Sequence, residues 1–286
     1  MGKRQKEVHI YLDNNAWPAL KGNEQALQHI KRTGFYPVLS EFNYREACKM
    51  ILGKNRQEGE ELLRFMMHLA RGCISHLGDL LSCDMQHTVY GRKVSYFMKE
   101  DSNFLSQLKE GAENPSRYIQ LFQAVAADTE GFRKHFEESF FDARKSAREA
   151  VIQRYGNFSG LNFSDFLTAW VGRLGITMTR QLFERMHIPY PQETASKIVE
   201  RLHVSKVVSA FLGSWAAMSF EYIVKGRRPR GNDVYDALHY TASAYCEFFI
   251  TEDRRLRAIL SNIDSPTPRV MRLETFLEQN VLCSAP

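Results

Sequence analysis

The stretch Gly231 to Leu256, GNDVYDALHYTASAYCEFFITEDRRL, constrains this chain more than any other. Phe248, Phe249 and Ile250 form a short unbroken apolar run. Such a run suits a central parallel strand covered on both faces, since a half-exposed strand would alternate with polar residues. The residues before it have helical spacing. Asn232 is placed to cap, Val234, Leu238, Thr241, Ala242 and Tyr245 fall on one side, and Asp233, Asp236 and His239 fall on the other. Thr251-Glu252-Asp253 follows at the strand's carboxyl end, where open α/β sheets bind their ligands. Asp236 and Asp253 are therefore candidates to converge. Each has a plainer role available: Asp233 complements a helix dipole in its first turn, and Asp253 makes a turn or caps the next helix. Asp236 lies a turn into its helix, where capping helps least.

The start of the chain repeats the pattern. Val8 to Leu12 reads as a strand ending at Asp13, with Asn14 and Asn15 after it. A helix is expected over 17–32, a short strand at Pro37–Leu39, and a helix capped by Ser40 and running to Leu52 before Gly53. In that helix Phe42, Glu46 and Met50 share a face, so Glu46 is either salt-bridged in the core or a ligand, while Glu41 and Arg45 are free to point to solvent. Near the end of the chain a short helix is expected over 256–260, a turn over 265–268, a strand over 270–273 and a helix over 274–280.

The middle, residues 54–224, has a different texture. Amphipathic segments are expected over 60–81, with Gly72 and Gly78 as possible breaks, and over 118–125, 132–155, 163–174, 181–186 and 194–224. The reading is thus three parts: a sheet-forming segment 1–53, an all-helical insertion 54–224, and a second sheet-forming segment 225–286. The fold class is α/β, a parallel sheet interrupted by the insertion. The aromatic and Met residues of the insertion read as helix packing, and its histidines show no paired-ligand spacing.

Composition narrows the function. The chain has 286 residues, 44% of them hydrophobic, with net charge +5 and pI near 8.9, which permits an anionic partner without demanding one. The position of the charge is more telling. Lys225, Arg227, Arg228 and Arg230 run into the acidic helix, and Arg254, Arg255 and Arg257 follow the acidic turn. Carboxylates framed by arginines fit a metal site acting on a phosphodiester. Five scattered cysteines without a CxxC pair point away from disulfides and zinc and toward a reducing compartment. No segment is apolar enough for a signal-peptide core or a bilayer span, so a cytoplasmic protein is expected.

Asp13, Glu46, Asp236 and Asp253 would face one crevice if all lie in one parallel sheet, and hard oxygen ligands in that number suit Mg²⁺ or Mn²⁺. IYLDNN, PVLSEFNYREA and DVYDALHYTASAYCEFFITEDRRL, in this order, resemble the PIN-domain nucleases. The resemblance covers the two ends of the chain. It implies a Rossmann-like sheet and metal-dependent cleavage of RNA, with Asp13, Glu46, Asp236 and Asp253 as the acidic quartet, Asp233 as a possible fifth acid, and Asn15 and Thr251 as polar residues of the site. Small toxin nucleases of that family have a much shorter middle; here the insertion has room to gate the site, bind RNA, or hold another protein or a second copy.

The leading expectation is therefore a metal-dependent endoribonuclease. Its acids would hold one or two ions and prepare a water for attack, and Arg227, Arg228, Arg230 and Arg254 would position the strand. DNA stays open as substrate, because carboxylate-held metals need no 2′-hydroxyl. The alternatives are a catalytically silent RNA-binding or scaffold protein of the same fold, and an aspartyl phosphatase or phosphoacceptor domain, which the lack of a DxD at Asp13-Asn14-Asn15 disfavours.

Overall fold

A computed structural model describes residues 7–93, 95–99, 102–171, 176–191, 197, 205–230, 232–263 and 268–281, with backbone alone at 129, 132, 133, 135, 136, 139–141, 143, 280 and 281. Its centre is a five-stranded parallel sheet in the order β3-β2-β1-β4-β5. The strands are β1 (Val8–Leu12), β2 (Phe35–Leu39), β3 (Gly72–Cys73), β4 (Phe248–Ile250) and β5 (Arg269–Met271). Thus the apolar run of β4 lies between β1 and β5, inside the sheet, as expected of a strand without a polar face.

The period of two along each strand divides the core. Tyr11, Val38 and Phe249 point to one face of the sheet, and Ile10, Leu12, Leu39, Phe248 and Ile250 to the other. Helices cover both faces. Toward the second face lie α1 (Ala16–Lys21), α2 (Glu24–Arg32), α4 (Arg56–Leu69), α6 (Asn103–Glu113) and α13 (Leu273–Val281). Toward the first lie α5 (Leu77–Tyr90), α8 (Phe163–Trp170), α9 (Ile176–Arg185), α10 (Lys206–Ile223), α11 (Asp233–Ala242) and α12 (Arg254–Leu260). Helices α3 (Glu41–Leu52) and α7 (Ile119–Tyr155) contribute to both sides. No helix of the described residues is long and apolar enough to cross a membrane.

Several sequence expectations are corrected by local chemistry. The helix expected over 17–32 is two, because Asn23 breaks it and caps the second part, its side chain accepting from the Ala26 amide at 3.0 Å. The helix expected over 60–81 is also divided, and between α4 and α5 the chain adds β3 to the sheet, pairing Val38 with Gly72 and Leu39 with Cys73. The segment 54–224 is therefore not all helix: it supplies an edge strand. The helices expected over 163–174 and 194–224 run through residues 172–174, 194–196 and 198–204, and the turn over 265–268 through 265–267, all outside the described residues. The Phe136, Phe140 and Phe141 side chains expected to pack lie outside them too.

Two buried acids hold helix ends that periodicity does not reveal. Glu41, expected at the surface with Arg45, is buried with it. One Glu41 oxygen accepts from the Leu77 amide at 2.6 Å, opening α5, and the other lies 2.8 Å from Arg45, whose guanidinium also reaches Asp128 at 2.5 Å. Asp84 of α5 accepts from the Val207 and Val208 amides at 2.8 and 3.1 Å, from Ser205, and from Tyr245 at 2.6 Å. It thus serves the orphan amides of α10 and fixes the turn that follows α11.

Helices α3 and α4 meet at Gly59, where a Cβ would lie 2.7 Å from the Ile51 nitrogen and 2.8 Å from Met50 Cβ. Gly59→Ala raises helix propensity by about 1 kcal/mol, yet forcing apart two backbones should outweigh that and cost about 2 kcal/mol net. Urea unfolding reads the difference, and a variant as stable as the parent would show that the helices separate freely.

Candidate active site: an acid cleft beside the sheet's carboxyl edge

A cleft of about 550 Å³ opens at the carboxyl ends of β1 and β4, lined by Asp13, Glu46, Asp236 and Asp253 together with Asp233, Asn14, Asn15, Arg230 and His239. Chain segments far apart in sequence meet here because β1 and β4 are neighbours. Asp13 extends their ladder by one residue, its amide donating to the Ile250 carbonyl at 3.0 Å. Its Oδ1 accepts from the Asn15 and Ala16 amides at 3.0 and 3.1 Å, turning the chain into α1. Burial pushes the Asp13 carboxyl up to about 6, against the opposing pull of a Thr251 hydrogen bond, His239 and those two amides.

Asp253 fills both its roles. Its Oδ1 accepts from the Arg255 and Leu256 amides at 2.7 and 2.9 Å, capping α12, and its own amide donates to Thr251 Oγ at 3.1 Å. Asn15 closes the same turn by accepting from the Glu252 amide at 2.8 Å. Thr251 is buried between Asp13 and Asp253, touching both. Glu46 stands on the rim, about a third of its side chain exposed, with Oε1 3.9 Å from His239 Nε2. The rim position corrects the expectation that it looks inward.

Asp236 is the unusual member. Among the described residues no hydrogen bond or ion pair reaches its carboxylate, and it is pushed well above the usual carboxylate range, first by burial and then by Asp13, Asp253, Asp233 and Glu46. Asp233 differs: one oxygen accepts from the Arg230 amide at 2.6 Å, from Arg255 at 3.0 Å and from Tyr222, so the chain neutralises it internally. The arginines also divide. Arg227 pairs with Glu221 at 2.8 Å, whereas Arg228, Arg230 and Arg254 are exposed with no side-chain partner among the described residues.

A polar relay beneath the acids escaped the spacing argument. Asn43 accepts from the Ser40 amide and donates to the Leu12 carbonyl, both at 3.0 Å, and these two backbone partners set which end of its amide points where. Its NH₂ then donates to Asn14 Oδ1 at 3.1 Å. Asn14 Nδ2 is left to donate to His239 Nε2 at 3.0 Å, and His239 Nδ1–H faces Tyr11 Oη at 2.6 Å, which in turn meets Ser40 Oγ at 2.5 Å. One tautomer of His239 satisfies all of these contacts. The relay locks α11, which carries Asp236, to β1 and α3. Asn14 and His239 were visible beside the acids in sequence; their connection through Asn43 and Tyr11 needed the fold.

The donor chemistry of the cleft, carboxylate and amide oxygen, fits Mg²⁺ or Mn²⁺ and not a thiolate-seeking metal. As the side chains stand, no group of three or more His, Cys, Asp or Glu among the described residues is arranged to hold an ion. Among the described residues Asp236 makes no hydrogen bond or ion pair, and Glu46 stands partly exposed at the rim, so neither loses a short contact in taking up an ion.

Because Asp13 and Asp236 bind protons more tightly folded than unfolded, both stabilise the metal-free chain below pH about 4; the Asp13 contribution is lost as pH rises through about 6, and that of Asp236 as pH rises above the usual carboxylate range. Asp236→Asn should therefore be more stable than the parent at pH 7.5 in EDTA, with the gap closing toward pH 4. Urea midpoints across that range measure it, and a variant less stable than the parent at pH 7.5 would contradict the electrostatic account.

No protein-family model matches the chain, and searches of curated proteins and of solved structures likewise return no match.

Proposed function

We propose that this chain is a PIN-like, divalent-metal-dependent phosphodiesterase, acting on RNA as an endonuclease. The observation that carries the reading is Asp236: a largely buried carboxylate facing other acids, with no cation of the chain among the described residues to offset it. An uncompensated acid cluster is costly to keep in a fold unless something it binds repays the cost. Asp13, Asp236 and Asp253 would hold Mg²⁺ or Mn²⁺, with Glu46 completing the set. Bound there, the ion supplies Lewis-acid stabilisation of the phosphate and lowers the pKa of an attacking water.

The remaining work falls to the chain. The amides of Asn15 and Ala16 hold Asp13 Oδ1 and those of Arg255 and Leu256 hold Asp253 Oδ1, while Thr251 bonds the Asp13 carboxyl and the Asp253 amide, so these carboxylates present constant geometry. Glu46, unlike them, has a partly exposed end with no short contact and suits the orienting of water or acceptance of its proton. Arg228, Arg230 and Arg254 are free to meet backbone phosphates, which positions a strand without reading its sequence. Arg227, already paired with Glu221, contributes less. The silent RNA-binding alternative draws on one observation, that the acids as placed do not close round an ion; activity decides between the two.

With Mn²⁺, the purified protein should cut RNA, and Asp236→Asn should lower the rate at least about a hundredfold while remaining folded. Equal rates for parent and variant would remove Asp236 from the chemistry. Arg228→Ala and Arg230→Ala should each weaken binding equally across sequences and reduce the slope of log K against log salt by about one, whereas Arg227→Ala changes it less. An unchanged slope in the first two would place the strand elsewhere.

A further inference from the structure

Besides its acids, the cleft is lined by residues of two kinds. One set is apolar: Pro18 of α1, Ala47 and Met50 of α3, and Leu62 of α4. The other is polar or basic, Arg230 and Asn232, with Arg254 one residue beyond Asp253. Pro18 is exposed and Met50 partly so, whereas Ala47 and Leu62 are buried. Nothing in the acid chemistry requires the apolar set. A strand of nucleic acid crossing the cleft has phosphates for the arginines and, once per residue, one apolar body, the base.

We propose that Pro18, Met50 and Leu62 form a nucleobase subsite that seats one unpaired base beside the phosphate held at the acids. The inference rests on the phosphodiesterase reading and adds to it what the cleft takes besides phosphate. The volume of about 550 Å³ is in the range that accommodates a nucleotide-sized ligand. The occupant is fixed by charge: Arg230 in the lining and Arg254 beside Asp253, both without a side-chain partner among the described residues, favour a polyanion over an apolar peptide, and the base is the polyanion's apolar part. A base within a duplex has its faces covered by its neighbours, so the apolar set selects a nucleotide that is single-stranded or turned out of the stack. Its side chains carry no hydrogen-bond donors, and it therefore senses the presence of a base and its area more than its identity.

An abasic scan tests this. RNA oligonucleotides of one sequence, each lacking a single base while keeping every phosphate, are offered with Mn²⁺ to the wild-type protein and to Met50→Ala, which retains the Cβ that packs against α4. One fixed position relative to the cut should matter: loss of that base should slow wild-type cleavage about tenfold. In Met50→Ala the intact RNA should be cut more slowly and the abasic penalty should shrink below about threefold. If intact RNA is cut and no abasic position matters, the subsite is overturned while the phosphodiesterase reading stands. A position that matters equally in both proteins seats the base elsewhere and overturns it too. If neither protein cuts any of the RNAs, the phosphodiesterase reading fails and the subsite falls with it.

Discussion

Mutual repulsion among carboxylates at the end of two central strands is the constraint to which the rest of this structure answers. Asp13 and Asp253 are brought together by the β1–β4 pairing, and Asp236 is set against them on the helix that leads into β4. Desolvation and like charge act in the same direction on Asp236, and the arginines close by are either engaged elsewhere or face outward. A fold selected for stability alone would put an Asn or an apolar residue there.

The architecture around the cleft reads as support for that arrangement. Tyr11, His239, Asn14 and Asn43 bind β1, α3 and α11 to one another through hydrogen bonds that allow only one set of orientations. Further out, Asp84 secures the start of α10 and the turn after α11, and Glu41 secures the start of α5 while holding Arg45 inside the protein. These buried acids are fully served by amides, hydroxyls or arginine. Asp236 is not. The contrast within one molecule between satisfied and unsatisfied carboxylates is what singles out the cleft.

Much of this was legible in the residues. The apolar run Phe248–Ile250 announced a strand covered on both sides, and the acids at strand ends announced a shared crevice, because both signals are local and periodic. The helix break at Asn23 was chemically visible as a capping residue but lost to the stronger apolar periodicity around it. The edge strand Gly72–Cys73 is too short for any pattern and exists through its pairing with β2. Glu41 illustrates the harder limit: its spacing suggests a surface residue, and only a helix that begins at Leu77, far along the chain, gives its burial a reason. Likewise, nothing in the spacing separates Asp233, neutralised by Arg255 and Tyr222, from Asp236, three residues on.

Calorimetric titration of Mn²⁺ into the protein near pH 6, in two buffers of different ionisation enthalpy, addresses the central claim directly. Asp13, pushed up to about 6, should be partly protonated there, and Asp236 is raised in the same direction, so a cation entering the cleft should bind with release of protons, seen as a heat that depends on the buffer, and both binding and release should be greatly reduced in Asp236→Asn. No binding by the wild-type protein, or identical binding by the variant, would mean that the acids of this cleft do not come together around an ion.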